Sequence, residues 1–485
     1  MKLLLIAICS FVLSYLMQYI AIGSINISIL FLSFITLFSL SLFKIPRTIL
    51  LIFGILLSAL IPDAILTKGL LKPSLLDVLL ATDISETIQF HMSIPTTHLI
   101  IMVFSVFLFV FTIIYAFNYE QKKIRRKLIL ITLIPLLLIT SSCYFMIFGG
   151  LVSDIITEYK SLQVDNLPAS SWLIKNKITP KYNTYVVVIG ESMRKDFMSL
   201  YGFGLDTTPF IDSMPKRYIS NYITTAINTT LAVPRILSKT SDNGSVYEQD
   251  NIVELANMAG LNTFWISSQG YAGQYNIASS RISSYAKFKY FNKADDFGLL
   301  PVIKEKIKLK ERKVIFVHIV GSHEYPCDRL FDYPIKYKTK SGRVVNCYLS
   351  TYNKTDDFIK DIYTYLEDSG ESFSMVYFSD HGLNMIKDGN GYKVRRDASK
   401  KQSYQVPFFV ASSDDKETTM TDTTRSAKHF IDFFASWIGV KTNLTIDNYD
   451  IFSKENDNPM IMSYDKKLYQ YNPLVNGLSS KDIMQ

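Results

Sequence analysis

The stretch that decides the fold is a run of apolar, mostly β-branched residues that ends in a glycine and a carboxylate. It reads Tyr185-Val186-Val187-Val188-Ile189-Gly190-Glu191-Ser192-Met193-Arg194. A short run of this composition is typical of a strand that is buried on both faces of a sheet. Further runs of the same character follow along the chain, at Thr263–Ile266, Val314–Val317, Met375–Phe378 and Val406–Val410.

Helical patterns separate these runs. In Asp357–Leu366, for example, Phe358, Ile359 and Ile362 share one face with Leu366. The alternation of strands and helices predicts an α/β/α domain with helices on both faces of a mostly parallel sheet. Ligands of such sheets bind beyond the carboxyl ends of the strands, so the site is expected there.

Three of the predicted strands are followed by residues suited to bind a metal ion. Glu191 follows the first strand, His323 follows the third, and the adjacent pair Asp380-His381 follows the fourth. A single carboxylate after a strand is usually a helix cap or a turn residue, whereas three such strand ends favour a metal site. Carboxylate and imidazole ligands suit Zn²⁺.

The first 150 residues differ from the rest, because Leu, Ile, Phe and Ser dominate them. The values for all 485 residues, 48% hydrophobic and 19% charged, therefore average two unlike halves. Five apolar runs have close to the roughly 20 residues that a helix needs to cross a bilayer. These runs are Leu3–Ile22, Ile25–Phe43, Ile49–Leu66, Leu99–Phe117 and Leu128–Phe148. The sequence thus predicts a five-helix transmembrane domain at 1–150, a linker at 151–180 and an α/β domain at 181–485.

The short loops between the apolar runs predict the orientation in the membrane. Lys44 and Arg47 lie between the second and third runs, and the basic segment 122–127 lies between the fourth and fifth. Lys and Arg concentrate in cytoplasmic loops. We therefore expect a cytoplasmic N-terminus and an extracytoplasmic domain after Phe148, periplasmic in a Gram-negative cell. The net charge of +8 is interpreted as topology information, and no nucleic-acid partner is expected.

Two features that are expected on the extracytoplasmic side of the membrane each allow two interpretations. Cys327 and Cys347 are expected outside the cytoplasm, where they form either a disulfide or two buried free thiols. The segment Thr67–His98 contains the amphipathic pattern Leu75–Leu80 and is either a connecting loop or a lid at the membrane surface.

The motifs at these strand ends resemble those of the phosphoethanolamine transferases, which belong to the alkaline-phosphatase and sulfatase superfamily. The segments that carry the resemblance are Val186–Arg194, Ser199–Gly202, Thr207–Pro209, Gly321–His323, Tyr352–Asp357 and Ser379–Gly382. In the family, the segment matching Tyr352–Asp357 begins a helix. The five apolar runs ahead of the soluble half also match the family.

The resemblance implies a zinc-dependent membrane enzyme with a threonine nucleophile. Counting back from Val233-Pro234 places that nucleophile at Thr229, with Thr230 as the alternative. The implied zinc ligands are Glu191, Thr229, Asp380 and His381, which would hold one ion, with a second ion left open. His323 is implied to contact the substrate.

The implied reaction is transfer of phosphoethanolamine from phosphatidylethanolamine to an acceptor in the cell envelope, such as lipopolysaccharide core, lipid A or another glycan. The rival within the same superfamily is a phosphoglycerol transferase similar to the lipoteichoic acid synthases. A sulfatase activity is disfavoured, because Ala232 stands where sulfatases need Cys or Ser ahead of Pro-x-Arg.

Several positions depart from the lipid A modifying members. Leu383 stands where they have a glutamate, and no histidine occurs between His381 and His429. Arg395 and Arg396 are either phosphate-binding residues or part of a solvated basic loop.

On the outer segment, Thr82 and Glu86 resemble family residues that meet the ethanolamine headgroup. Glu86 would pair with the ammonium group. The alternative is an ordinary helix N-terminus capped by Thr82 or Asp83.

Overall fold

The structure is a computed structural model that forms two compact units, Met1–Gln163 and Val164–Gln485. It describes residues 1–67, 69–70, 94–116, 118–119, 132–145, 149–150, 152–153, 156, 169–177, 180–269, 278–292, 295–389, 391–447 and 449–484.

The described part of the first unit is helical. Its helices are α1 (Lys2–Ile22), α2 (Ile27–Ser41), α3 (Lys44–Ser58), α4 (Ile61–Thr67), α5 (Thr96–Ala116) and α6 (Thr132–Phe145). By length and composition α1 and α5 could cross a membrane, whereas α2 and α6 are apolar but shorter. Each of the five predicted spans thus overlaps a described helix, but only two of these helices reach spanning length.

The third predicted span, Ile49–Leu66, is broken into α3 and α4. Pro62 explains the break, because its ring clashes with the carbonyl group four residues earlier, at Ser58, where α3 ends. The predicted lid pattern Leu75–Leu80 lies outside the described residues.

Several polar side chains of the apolar helices form hydrogen bonds within the unit. The Ser10 hydroxyl donates to the Ile6 carbonyl at 2.9 Å. Arg47 is buried and donates to the carbonyl oxygens of Ser41 and Tyr119, at 3.2 and 3.0 Å. Arg47 therefore holds the end of α2 and the residues just beyond α5 at the same end of the helical unit.

The second unit is an α/β domain. Its strands are β1 (Ile174–Lys177), β2 (Thr184–Gly190), β3 (Arg217–Ile223), β4 (Ser238–Thr240), β5 (Val246–Asn251), β6 (Asn262–Ser267), β7 (Phe288–Phe291), β8 (Lys313–His318), β9 (Phe373–Ser379), β10 (Asn384–Asp388), β11 (Gly391–Arg395), β12 (Gln405–Val406), β13 (Phe408–Ser412), β14 (Thr419–Ser426), β15 (Val440–Thr442), β16 (Met460–Met462) and β17 (Leu468–Gln470). Its helices are α7 (Pro209–Ser213), α8 (Thr229–Leu237), α9 (Ile252–Ala259), α10 (Ala278–Ser284), α11 (Leu300–Ile307), α12 (Pro326–Arg329), α13 (Arg343–Asp368), α14 (Phe430–Trp437) and α15 (Ser480–Met484).

The main sheet has nine strands in the order β12-β3-β13-β9-β2-β8-β6-β7, with β14 paired to β3. The strands β9, β2, β8, β6 and β7 run parallel, as predicted. The predicted strand Val406–Val410 is instead split at Pro407, and both pieces run antiparallel to their neighbours. The described residues between β9 and β13 contain no crossover α-helix, and the chain returns in the opposite direction, so the sheet is mixed.

Strand β2 lies at the centre of this sheet and is buried along its whole length. Val187 and Ile189 pack into the hydrophobic core on one face, and Val186 and Val188 pack into the core on the other. This burial on both faces explains the uninterrupted apolar run, because neither side of the strand meets water.

Helix α13 secures the loop that follows β2. It begins at Arg343, so Tyr352–Asp357 lies in its middle and the expected helix start at Tyr352 is wrong. The Tyr352 hydroxyl donates to the Arg194 carbonyl and accepts from the Arg194 N–H, both at 2.9 Å. The Asp356 carboxylate accepts the N–H groups of Phe210 and Ile211, at 2.9 and 2.8 Å. These motif residues therefore position the loop that carries Glu191.

Cys327 and Cys347 form a disulfide with their Cα atoms 4.9 Å apart. It joins α12 to the first turns of α13, so it ties the loop that follows His323 to the helix that secures the site.

We expect the variant Cys327→Ser to lower the free energy of unfolding of the second unit. Closing a loop of 20 residues stabilises by about 3 kcal/mol on the chain-entropy model. Denaturant unfolding under oxidising conditions measures the change, with Cys143→Ser as a matched control on a cysteine outside the disulfide. Equal stability of the two variants would contradict the expectation.

Candidate metal and nucleophile site

The sheet brings two carboxylates together at its carboxyl edge. In the parallel pairing of β2 with β9, Gly190 lies opposite Ser379. The next residue of each strand is an acid, Glu191 in one case and Asp380 in the other. Both carboxylates are buried, with relative exposures of 1% and 0%. Strand register therefore fixes the carboxylate pair.

His381 completes a cluster with these acids. Its Nε2 lies 3.2 Å from Glu191 Oε1 and 3.4 Å from Asp380 Oδ2. One ligand atom from each of the three residues lies within 4.8 Å of the others, and among the described residues no other group of His, Cys, Asp and Glu meets this criterion.

Thr229 is the first residue of α8 and directs its hydroxyl at this cluster. Its Oγ1 donates to Glu191 Oε2 at 2.8 Å and lies 3.3 Å from His381 Nε2. Asn228 caps the helix by accepting the Leu231 N–H. The Thr230 hydroxyl instead donates to Asn228 Oδ1 at 3.2 Å. The two threonines that the sequence left open thus have different surroundings.

The protein orients the cluster for a cation. Asp380 Oδ1 accepts the backbone N–H groups of Ser192 and His381, whereas its buried Oδ2 has no hydrogen-bond partner. The Gly382 carbonyl lies 3.0 Å from His381 Nδ1, and a proton on Nδ1 leaves the Nε2 lone pair free. A buried carboxylate oxygen without a hydrogen-bond partner, close to an imidazole nitrogen, fits a metal ion, and this donor set suits zinc.

The electrostatics of the cluster also favour positive charge. Burial and the charge of Glu191 raise the pKa of Asp380 to about 7. Burial would raise the pKa of Glu191, but the neighbouring His381 outweighs it and holds that pKa well below its usual range. Burial acts to lower the pKa of His381, but the charges of Asp380 and Glu191 raise it. The two carboxylates thus share His381 as their positively charged neighbour.

Sequence reasoning missed two partners of Glu191. Gln269 Nε2 donates to Glu191 Oε2 at 2.8 Å and to the Ile319 carbonyl at 3.0 Å. The Ser192 hydroxyl donates to Glu191 Oε1 at 2.5 Å. Gln269 follows the parallel strand β6, so the rule that directed attention to strand ends applied to it as well.

The remaining predicted site residues differ in their surroundings: some are buried or half-buried, one is exposed, and two lie outside the described residues. His323 lies between two guanidinium groups, with Nη2 of Arg396 3.2 Å from its Nε2 and Nη2 of Arg329 3.2 Å from its Nδ1. Burial lowers the pKa of His323 to about 4. Arg395 is exposed on β11. Leu383 is fully buried in the hydrophobic core. Thr82 and Glu86 lie outside the described residues.

Comparison with known proteins decides the family. The sulfatase family model matches residues 183–440, more than half of the chain. This chain belongs to the sulfatase family. The phosphoethanolamine transferase OpgE of Escherichia coli K12 is 34% identical over 336 residues, which cover 66% of this chain and 63% of OpgE. EptA of Helicobacter pylori, also named a phosphoethanolamine transferase, is 26% identical over 260 residues, 47% of each chain. The chain spans less than two thirds of the length of these relatives. The predicted resemblance to phosphoethanolamine transferases is confirmed.

Solved structures show the same fold. The periplasmic domain of E. coli EptC, solved in complex with Zn, aligns with a TM-score of 0.55 at 20% identity and covers 66% of this chain and 100% of that domain. The integral membrane protein EptA of Neisseria meningitidis aligns with a TM-score of 0.56 at 15% identity and covers 92% of this chain and 96% of EptA.

We expect His381→Ala to lose zinc and Thr229→Ala to retain most of it. Losing a residue that only hydrogen-bonds a metal ligand lowers metal affinity about 10- to 100-fold. His381 would supply a ligand atom itself, so its loss should have at least this effect. Without Thr229, the atoms of Glu191, Asp380 and His381 remain. Elemental analysis of the purified full chain measures zinc per protein, with the exposed Glu305→Gln as the control. Full zinc occupancy of His381→Ala would show that the ion does not bind here.

Proposed function

We propose that this chain transfers phosphoethanolamine from phosphatidylethanolamine to an acceptor in the cell envelope, through a covalent intermediate on Thr229. The observation that carries the proposal is the Thr229 hydroxyl, directed from the start of α8 at a buried carboxylate–imidazole cluster. The names of the relatives, phosphoethanolamine transferases OpgE and EptA, support the group that is transferred.

The reaction proceeds in two displacements. The oxygen of Thr229 attacks the donor phosphorus, the bond from phosphorus to the diacylglycerol oxygen breaks, and diacylglycerol leaves with a proton. A hydroxyl or phosphate oxygen of the acceptor then attacks the same phosphorus and releases Thr229, which regains its proton. Each step exchanges one phosphorus–oxygen bond for another, so neither step requires a redox partner.

Glu191, Asp380 and His381 would hold one zinc ion next to Thr229, and the Zn-bound EptC domain supports this choice of metal. When bound, zinc would favour the ionised form of the threonine hydroxyl and withdraw charge from the attacked phosphoryl group. Gln269 and Ser192 orient Glu191, and the Asp380 carboxylate is fixed by backbone N–H groups.

Arg396 and His323 are assigned to the phosphoryl group of the substrate. Nη2 of Arg396 lies 3.2 Å from His323 Nε2, and the charge of Arg396 contributes, after that of His381, to lowering the pKa of Glu191. Arg395 is exposed and is assigned a secondary role in attracting anionic substrates. Thr82 and Glu86 keep their assignment to the ethanolamine headgroup from the sequence motif alone.

The donor is a membrane lipid, and the apolar N-terminal unit accounts for access to it. We propose five spans within 1–150, a linker at 151–180 and a catalytic domain at 181–485 in the periplasm, with the N-terminus in the cytoplasm. The two helices of spanning length and the two shorter apolar helices support a membrane location, and so does the likeness in fold to the membrane protein EptA.

Thr229 is expected to carry phosphoethanolamine during turnover. Peptide mass spectrometry of protein isolated from membranes rich in phosphatidylethanolamine should find the adduct on Thr229, and Thr229→Ala should lower transfer by at least about 10³-fold. Thr230→Ala, a matched variant one residue away, should keep substantial activity, because its hydroxyl contacts Asn228 instead of the cluster. A fully active Thr229→Ala variant would refute the mechanism, and transfer from phosphatidylglycerol alone would favour the phosphoglycerol transferase.

The topology is tested with alkaline phosphatase, which is active only outside the cytoplasm. A fusion after Gly150 should be active and a fusion after Lys122 inactive, because the basic segment 122–127 is expected to remain in the cytoplasm. The reverse pattern would contradict both the topology and the use of a periplasmic lipid donor.

A further inference from the structure

The loop that follows β8 packs directly against the end of β2. The Ser322 N–H donates to the Glu191 carbonyl at 3.0 Å. A Cβ atom at Gly321 would come within 3.2 Å of the backbone N and O of Glu191, so the approach is close and Gly321 adopts a positive φ of 48°. Glu324, two residues beyond Ser322, is therefore anchored at the rim of the site.

Glu324 and Arg396 form an ion pair at this rim. Glu324 Oε1 accepts the backbone N–H of Arg396 at 3.2 Å and lies 3.6 Å from its Nε. Nη2 of Arg396 lies 3.2 Å from His323 Nε2. The side chains of Glu324 and Arg396 retain 26% and 21% exposure, so a ligand from solvent can reach both. In the part of the chain that the structure describes, no hydrogen bond involves Glu324 Oε2.

The site thus presents a fixed positive group and a fixed negative group side by side. Phosphoethanolamine is the matching zwitterion, because an ester oxygen and two carbons separate its phosphorus from its ammonium nitrogen. The phosphoryl oxygens suit the forked donors of a guanidinium, and the ammonium donors suit a carboxylate with an open oxygen.

We propose that Glu324, in place of Glu86, binds the ammonium group of the donor while Arg396 binds its phosphoryl group, so that Glu324 selects ethanolamine over uncharged headgroups. This assignment rests on the proposed function and deepens it. A glycerol or propyl headgroup offers no cation to Glu324, so its carboxylate would remain paired with Arg396 alone.

The test compares two donors that differ in the ammonium group. Phosphatidylpropanol has a headgroup of nearly the same size as phosphatidylethanolamine but carries no positive charge, and both donors release diacylglycerol. Purified full chain in mixed micelles is assayed for diacylglycerol release from each, and phosphatidylpropanol is also measured as a competitor of phosphatidylethanolamine. Glu324→Gln preserves the side-chain shape and the oxygen that accepts the Arg396 N–H, but it removes the charge.

We expect Glu324→Gln to lower kcat/KM for phosphatidylethanolamine about 10- to 100-fold, the effect of losing one hydrogen bond between charged groups. Use or inhibition by phosphatidylpropanol should be unchanged, so the preference between the donors collapses. Glu324→Asp should recover part of the preference, and Glu305→Gln, which removes the same charge at a distant exposed position, should alter neither value. Zinc content should equal that of the unmodified chain.

Two outcomes would overturn the assignment. If Glu324→Gln uses phosphatidylethanolamine as well as the unmodified chain does, Glu324 does not bind the ammonium. If both donors weaken in parallel, Glu324 acts only by positioning Arg396. Failure of the proposed function gives a separate result, because the unmodified chain would then release no diacylglycerol from phosphatidylethanolamine.

Discussion

The second unit depends on one electrostatic constraint, the burial of two carboxylates side by side at the ends of adjacent parallel strands. Glu191 and Asp380 are forced together by the register of β2 and β9, and neither is accessible to water. Like charges in such a place repel, and burying an uncompensated carboxylate costs several kcal/mol. A bound cation would offset this cost, so the arrangement of Glu191, Asp380 and His381 is suited to hold a metal ion.

The surrounding structure keeps these charges in place rather than allowing them to separate. Backbone N–H groups hold one oxygen of Asp380, and Gln269 and Ser192 hold Glu191. Helix α13 in turn bonds the loop after Glu191 through Tyr352. The motif residues in the middle of α13 therefore support the site through the backbone that they hold.

The residues after His381 differ from the motif of the lipid A modifying members. Leu383 takes the place of the glutamate in that motif and is part of the hydrophobic core. The backbone N–H of Arg396 donates to Glu324, and the Arg396 guanidinium contacts His323. A guanidinium fixed in this way carries its charge permanently and offers directed donors, so this side of the site is suited to recognise a phosphoryl group with a charged substituent.

The sequence by itself determined the two-part character of the chain, the central strands and the residues at their ends. These features are local: an apolar run predicts a buried strand, and the residue that follows it must lie at the sheet edge. It could not determine that Val406–Val410 would pair antiparallel, that α13 would begin nine residues before Tyr352, or that Arg396 rather than Arg395 would turn towards the site. It also left Thr229 and Thr230 open and missed Gln269 and Glu324. Those outcomes depend on which strands become neighbours and on which side of a loop faces them, and only tertiary packing sets these contacts between residues distant along the chain.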